Sequence, residues 1–467
     1  ASGIWSSANY NGSLRYGFNI PAGLFVYLFG PNIFAANLFS LICSLGEIAL
    51  VGYFAGRYWG TRTGVIAALI LSVMPLHVGA ATAIHTDPIA AFAITASFIA
   101  FWRATESNSR IGFFATGLII GFVFWVKELI VVYVAVFLLY ALIERRWDWK
   151  WLFIIFGGLV LLLGHLILMW VIAGDPFHGF KVYFMQIDRD FVGGGKESAA
   201  FYYFYYLFID IRHNWLVPYL AFAGVIVMLM RRQGRQSEDN RFLVIWLVGS
   251  LVVYSFTPIS LDPFQLITKQ SNYLNLFFAP LSVAAAVFLA PLMRRWTMPV
   301  MGITVFGGIM LAALGQQDLR KFVANSKAVA QFAREHPEAI VFASVNNRNV
   351  TSFVNLLEPG PAARLELLHG LTPQSGEGGQ MVFVVIDGET AHWNASVTDT
   401  AEPKRCWRPV KVLEPQGFGF GYDVVEAIVW SIQLLPGHLG DAVAKPFANL
   451  LSVRPATVYA LPTFNPL

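Results

Sequence analysis

IGFFATGLIIGFVFWVKELIVVYVAVFLLYALI (111–143) is one apolar run interrupted only by the adjacent charges Lys127 and Glu128. A helix needs roughly 20 apolar residues to cross a hydrocarbon core about 30 Å thick, so the run is long for one crossing and tight for two. Its flanks decide. Arg103 and Arg110 precede it, Arg145 and Arg146 follow it, and short arginine-rich loops stay on the cytoplasmic side of a membrane. Both flanks then share a side. The run crosses twice, as 111–126 and 129–143, and Lys127-Glu128 turns on the far face.

The same alternation extends along the chain. Apolar spans are expected at about 33–56, 63–82, 88–103, 111–126, 129–143, 151–173, 215–230, 242–258, 272–292 and 297–315. Five short breaks hold 13 Lys and Arg, while the opposite loops hold 7 over much longer sequence. Composition agrees: 13% of residues are charged and 56% hydrophobic, against about 25% charged in soluble domains. The net charge of +4 gathers beside the spans, which argues for topology and against nucleic-acid binding. Two cysteines, Cys43 and Cys406, exclude a disulfide framework. No HExxH, Walker loop or Cys/His cluster occurs, so neither a metal site nor a cofactor is expected.

Parity places residues 1–32 and 174–214 outside. Within the first, IPAGLFVYLFG (20–30) is too short to span and reads as an interfacial helix. FYYFYYLF (201–208) suits an anchor at headgroup level, with a substrate-stacking role as the alternative. From Gln316 to Leu467 polarity becomes ordinary, with a helical pattern at 318–335 and strand-like AIVFASV (339–345) and MVFVVID (381–387). The fold expected is a polytopic α-helical membrane domain over 1–315, followed by a small external α/β domain over 316–467.

The residues able to do chemistry collect in the outward loops. Ionisable groups at membrane depth are costly, and functional sites are where they are kept. Asp87, before Pro88 at a span start, reads as a helix cap, alone or with a catalytic or binding role. His85 lies beside it. Lys127 is a cation suited to a phosphate, with Glu128 to orient it; a snorkelling pair is the alternative. The loop GDPFHGFKVYFMQIDRD (174–190) brings His178, Lys181 and Arg189, the two cations on roughly one helix face, where an anionic headgroup or solvent would meet them. Lys269 and Tyr273 head a later span one turn apart and form a further phosphate-binding candidate. Glu47 lies inside a span and reads as a group that pairs or lines the interior, while His77 and His165 lie within apolar stretches and read as bundle-packing residues rather than ligands.

These stretches resemble the integral-membrane glycosyltransferases of the GT-C superfamily, near the aminoarabinose transferases and protein O-mannosyltransferases. RYGFNIPAGLFVYLFGPNIFAANLFS (15–40), GRYWGTRTGVIAALILSVMPLHV (56–78), HTDPIAAFAITASFIAFWRA (85–104), GLIIGFVFWVKELIV (117–131), GDPF (174–177) and KQSNYLNLFFAPLSVAAA (269–286) carry the resemblance in order, over about 1–315. It implies transfer of a sugar from a polyprenyl-phosphate carrier to a lipid, glycan or protein acceptor. Transfer would take place on the external face of a bacterial inner membrane, with inversion at the anomeric carbon. Asp87 matches the family's second acidic residue and Lys127 its lysine.

One departure stands out. The family carries an acidic pair in its first external loop, after a first span, whereas residues 1–32 contain neither Asp nor Glu. The expectation is that the chain lacks its natural start. The alternative is a catalytically silent GT-C-like subunit of a larger membrane complex. A transporter would show paired repeats with broken helices, and none is seen.

Overall fold

The computed structural model describes residues 14–127, 132–191, 200–230, 235–261, 264–267, 269–358, 360–368, 381–393, 403–404, 406–415, 419–435 and 438–461. Glu128 lies outside these residues, and Arg189 is described in its backbone only. The chain divides into two units at about residue 312.

In the first unit, each apolar stretch buries its backbone polar groups in helix, as hydrocarbon requires. The helices run α1 Tyr16–Phe29, α2 Ile33–Trp59, α3 Thr61–Ser72, α4 Pro75–Ala81, α5 Asp87–Ser107, α6 Arg110–Val126 and α7 Val134–Glu144. They continue with α8 Leu152–Ala173, α9 His178–Phe191, α10 Tyr202–Phe208, α11 Val217–Met230 and α12 Arg235–Val244. A π-turn at Ile245–Gly249 leads from α12 into α13 Ser250–Phe256. A short antiparallel pair, β1 Pro258–Leu261 and β2 Phe264–Leu266, precedes α14 Asn275–Leu289 and α15 Arg294–Glu335. Among the described residues, six helices are long and apolar enough to cross a membrane alone, and the bent pair α3–α4 makes a seventh. The chain leaves the helix at Lys127, whose backbone is extended, so 111–143 is indeed two helices.

Four expectations need correction. The span at 63–82 is bent by 67° between α3 and α4, because Pro75 opens a new helix and cannot continue the old ladder. The second half of 111–143 becomes helical α7 only at Val134. The aromatic run 201–208 is not merely an anchor: Tyr203 and Leu207 are fully buried, with Tyr203 edge-on to Phe277 at 5.2 Å. The apolar stretch 297–315 and the helical pattern 318–335 are one helix, α15.

Small residues set the closest helix crossings. A Cβ on Gly117 of α6 would lie 2.0 Å from the Ile154 carbonyl of α8, and one on Gly224 of α11 would lie 1.9 Å from the Ala284 carbonyl of α14. Without a hydrophobic drive between helices in lipid, such backbone approach supplies much of the packing. At the arginine-rich end, Trp102 stacks on Phe242 at 4.4 Å and Phe98 on Trp246 at 4.7 Å.

The second unit is a five-stranded sheet in the order β4-β3-β5-β7-β6, built from β3 Ile340–Ala343, β4 Glu366–Leu367, β5 Val382–Asp387, β6 Arg408–Leu413 and β7 Ala456–Ala460. β3 is parallel to β4 and β5, and β7 is antiparallel to β5 and β6. Helices α16 Val345–Leu357, α17 Gly388–Trp393, α18 Phe420–Gln433 and α19 His438–Leu451 complete it. Val329 and Phe332, late in α15, pack with Val341, Val385 and Val458 of the strands. The polar residues of this face are mutually bonded: Asn325 donates to Asp387 Oδ1 at 2.7 Å and Ser326 to Asn347 Oδ1 at 2.8 Å.

Candidate active site

Asp87 is the first residue of α5, but its carboxylate does not cap the helix. Fully buried, it is taken up by side chains from three directions. Lys127 Nζ, at the end of α6, donates to Oδ1 at 2.6 Å. Asn272 Nδ2, in the turn before α14, donates to Oδ2 at 2.8 Å. His85 Nδ1 lies 2.6 Å from the same Oδ2. The His85 side chain is 39% exposed, and its backbone carbonyl accepts from Ser40 of α2 at 2.8 Å.

Lys127 is itself buried, and its ammonium lies 3.9 Å from the centroid of the Tyr273 ring. A carboxylate on one side and a π-face on the other hold a desolvated cation in one position. Lys269 is fully buried as well, its Nζ donating to the Ile267 carbonyl at 3.1 Å. Loss of solvation pulls its pKa down from 10.5 to about 8. It remains an ammonium at neutral pH and precedes Asn272 by three residues and Tyr273 by four.

Of the expected residues, the structure therefore brings together Asp87, His85, Lys127 and Tyr273, with Lys269 on the adjoining segment. Asn272 was missed. It is an uncharged amide in KQSNY, and only its place beside Lys269 and Tyr273 pointed to it. Lys181 does not join. Lys181 is paired with Asp175 at 2.6 Å, both partly open to solvent, and this pair depresses the Asp175 carboxyl. Lys181 and Arg189 do share one helix, α9. His178 also lies on α9, with an unpartnered Nε2. Glu47 is paired, as expected, and His77 is more than a packing group: His77 Nε2 lies 3.3 Å from Glu47 Oε2, and Thr95 donates to Glu47 Oε1 at 3.0 Å. They tie α2 to α4 and α5, the elements flanking the His85–Asp87 turn.

Comparison with known proteins places this geometry. Residues 19–170 match the family described as dolichyl-phosphate-mannose-protein mannosyltransferase. The undecaprenyl phosphate-alpha-4-amino-4-deoxy-L-arabinose arabinosyl transferase of Pseudomonas aeruginosa is 26% identical over 275 residues, 55% of this chain and 48% of that protein. The crystal structure of ArnT from Cupriavidus metallidurans in the apo state superposes with a TM-score of 0.55 at 16% identity, covering 88% of both chains. The same protein bound to undecaprenyl phosphate gives 0.54 at 15% identity, over 80% of this chain and 83% of that one. The fold is similar to that of ArnT. The family match falls within the stretch where the motifs carry the GT-C resemblance. The chain spans about half the length of the curated relatives it matches.

Proposed function

We propose that this GT-C chain transfers a sugar from a polyprenyl-phosphate carrier to an acceptor hydroxyl at the external face of a bacterial inner membrane, with inversion. The observation that carries the reading is the Lys127 ammonium, buried and held between Asp87 and Tyr273. A desolvated, pre-oriented cation is what a leaving phosphate needs, because it stabilises developing charge without reorganising. Lys269 supplies a second such charge. The donor is a substrate, and no cofactor enters the reaction. The binding of undecaprenyl phosphate by the Cupriavidus metallidurans relative supports the choice of carrier.

In this reading Asp87 acts at the centre of the site through two neighbours. Oδ1 fixes Lys127 for the phosphate. Oδ2 orients His85, whose Nε2 is left to accept a proton. The acceptor oxygen attacks the anomeric carbon as its proton passes to His85 Nε2. The carbon–oxygen bond to phosphate breaks, and the electron pair leaves on the polyprenyl phosphate. His178, Lys181 and Arg189, on α9, serve the approach of the anionic headgroup rather than the bond exchange. Orientation with the arginine-rich loops in the cytoplasm and the 316–467 domain outside follows from charge alternation.

The test is release of free undecaprenyl phosphate from undecaprenyl-phosphate sugars by the full chain in nanodiscs. The expected result is turnover with at least one aminosugar or hexose donor, lost in K127M. A second reading, a catalytically silent subunit, has its own support in the engagement of both Asp87 oxygens. Tight carrier binding without turnover on any donor would favour it.

A further inference from the structure

Helix α2 carries polar residues at Asn37, Ser40, Ser44 and Glu47, spaced three and four apart, so they share one face of the helix. Each meets α4 or the turn that follows it. Asn37 Nδ2 donates to the Ala81 carbonyl at 3.0 Å and Ser40 Oγ to the His85 carbonyl at 2.8 Å. Ser44 Oγ lies 3.2 Å from His77 Nε2, which is also 3.3 Å from Glu47 Oε2. The other Glu47 oxygen accepts from Thr95 at 3.0 Å. Thr95 stands eight residues after Asp87 on α5, about 12 Å along the helix. One carboxylate thus holds the segment that enters the His85–Asp87 turn and the segment that leaves it.

Neither packing nor helical continuity requires this seam. Ser40, Ser44, Glu47, His77 and Thr95 are all buried, and ionisable groups inside a span are costly. Apolar side chains of similar volume would fill the same space at no cost in solvation. What α4 lacks is a direction. It is only seven residues long, is bent by 67° from α3, and is separated from α5 by residues 82–86. Apolar burial is non-directional, whereas hydrogen bonds fix angle as well as distance. The Asp87 site has that need. His85 Nδ1 meets Asp87 Oδ2 at 2.6 Å, and a misplacement of about 1 Å costs catalysis roughly 100-fold.

We propose that the α2 seam, centred on Ser40 and Glu47, is the positioning device for His85 and Asp87 in the transfer reaction. Ser40 fixes His85 through its carbonyl, and Glu47 fixes the spacing of α4 and α5 beneath the turn. Both act through the residues they hold and not on the substrate. The proposal rests on the transferase reading for its chemistry, while the geometry it asserts is measured without turnover.

The full chain in nanodiscs, as wild type, E47L, E47Q and S40A, is followed by amide hydrogen exchange over residues 82–87 and by kinetics with undecaprenyl-phosphate sugars. In E47L and S40A the expected result is faster exchange over 82–87 with α14 unchanged. The same variants should lose about tenfold or more in kcat at an unaltered donor KM. E47Q keeps an acceptor for Thr95 and a polar group for His77, and should restore most of kcat. S40A keeps the test valid if E47L fails to fold. Exchange over 82–87 as in wild type in both E47L and S40A overturns the proposal, and so does an unaltered kcat in both where wild type turns over. Exchange raised throughout the first unit, with KM and kcat changed together, overturns it as well, because that marks general packing. Faster local exchange in the variants of a chain that transfers nothing upholds the seam and overturns the transferase reading instead.

Discussion

The first unit carries ion pairs at two places that differ in solvent rather than in residue type. At the arginine-rich end, between the end of α7 and α12, Arg241 forks onto both oxygens of Glu144 at 2.8 and 3.0 Å, and Arg146 meets Glu238 at 2.8 Å. The arginines there are nearly half exposed. Where α5 begins, Asp87 and Lys127 form a pair at 2.6 Å with almost no exposure. Exposed pairs contribute about 0–1 kcal/mol. Breaking a buried pair costs about 3–5 kcal/mol, because one charge is left without solvent or partner. The arginine end orients the protein and tolerates change. The Asp87 end keeps a costly arrangement, which is the mark of a site.

The largest effect is expected at that pair. D87N leaves Lys127 with a neutral partner, and transfer should fall by three orders of magnitude or more, roughly, while the chain still inserts. Wild-type turnover in a folded D87N chain would break the contrast between the ends. H85A should lower kcat by about 100-fold and leave the donor KM close to its wild-type value. A change in KM alone would return His85 to a binding role.

Lys269 sharpens the comparison through pH. Its folded pKa of about 8 lies below its ordinary 10.5, so the ammonium is present below pH 8 and is lost as pH rises through that value. Donor affinity should therefore weaken above pH 8 in the wild type and stay level in K269R. The same shift favours the neutral form in the fold, so this group's contribution to stability should increase between pH 8 and 10.5. The smallest effect is expected at the other end: R146A should change stability by about 1 kcal/mol or less, read as a small Tm shift with transfer unaltered.

Much of this was legible because membrane burial is written in composition and loop charge. Splitting 111–143 required only the flanking arginines, and that split put Lys127 on the same face as Asp87. What was illegible is pairing across distance. Glu47 and His77 are each a lone polar residue in an apolar span, and no spacing rule joins them. Asn272 carries no charge to mark it. The Asp-Pro pattern at Asp87 pointed first to a cap, yet the stronger attraction of Lys127 and His85 governs where the carboxylate goes. The units divide close to Gly315, but the helix does not stop there. A single glycine costs a helix only about 1 kcal/mol, and the helix-forming residues that follow carry α15 through it.

The central claim is that Lys127 is a phosphate ligand held ready by Asp87. It is tested most directly by the affinity of the full chain for undecaprenyl phosphate, measured by native mass spectrometry from nanodiscs for wild type, K127M and R146A. The account predicts that K127M binds at least about tenfold more weakly, a loss of roughly 1.4 kcal/mol or more, while R146A binds as wild type does. Equal affinity in K127M and wild type would contradict it.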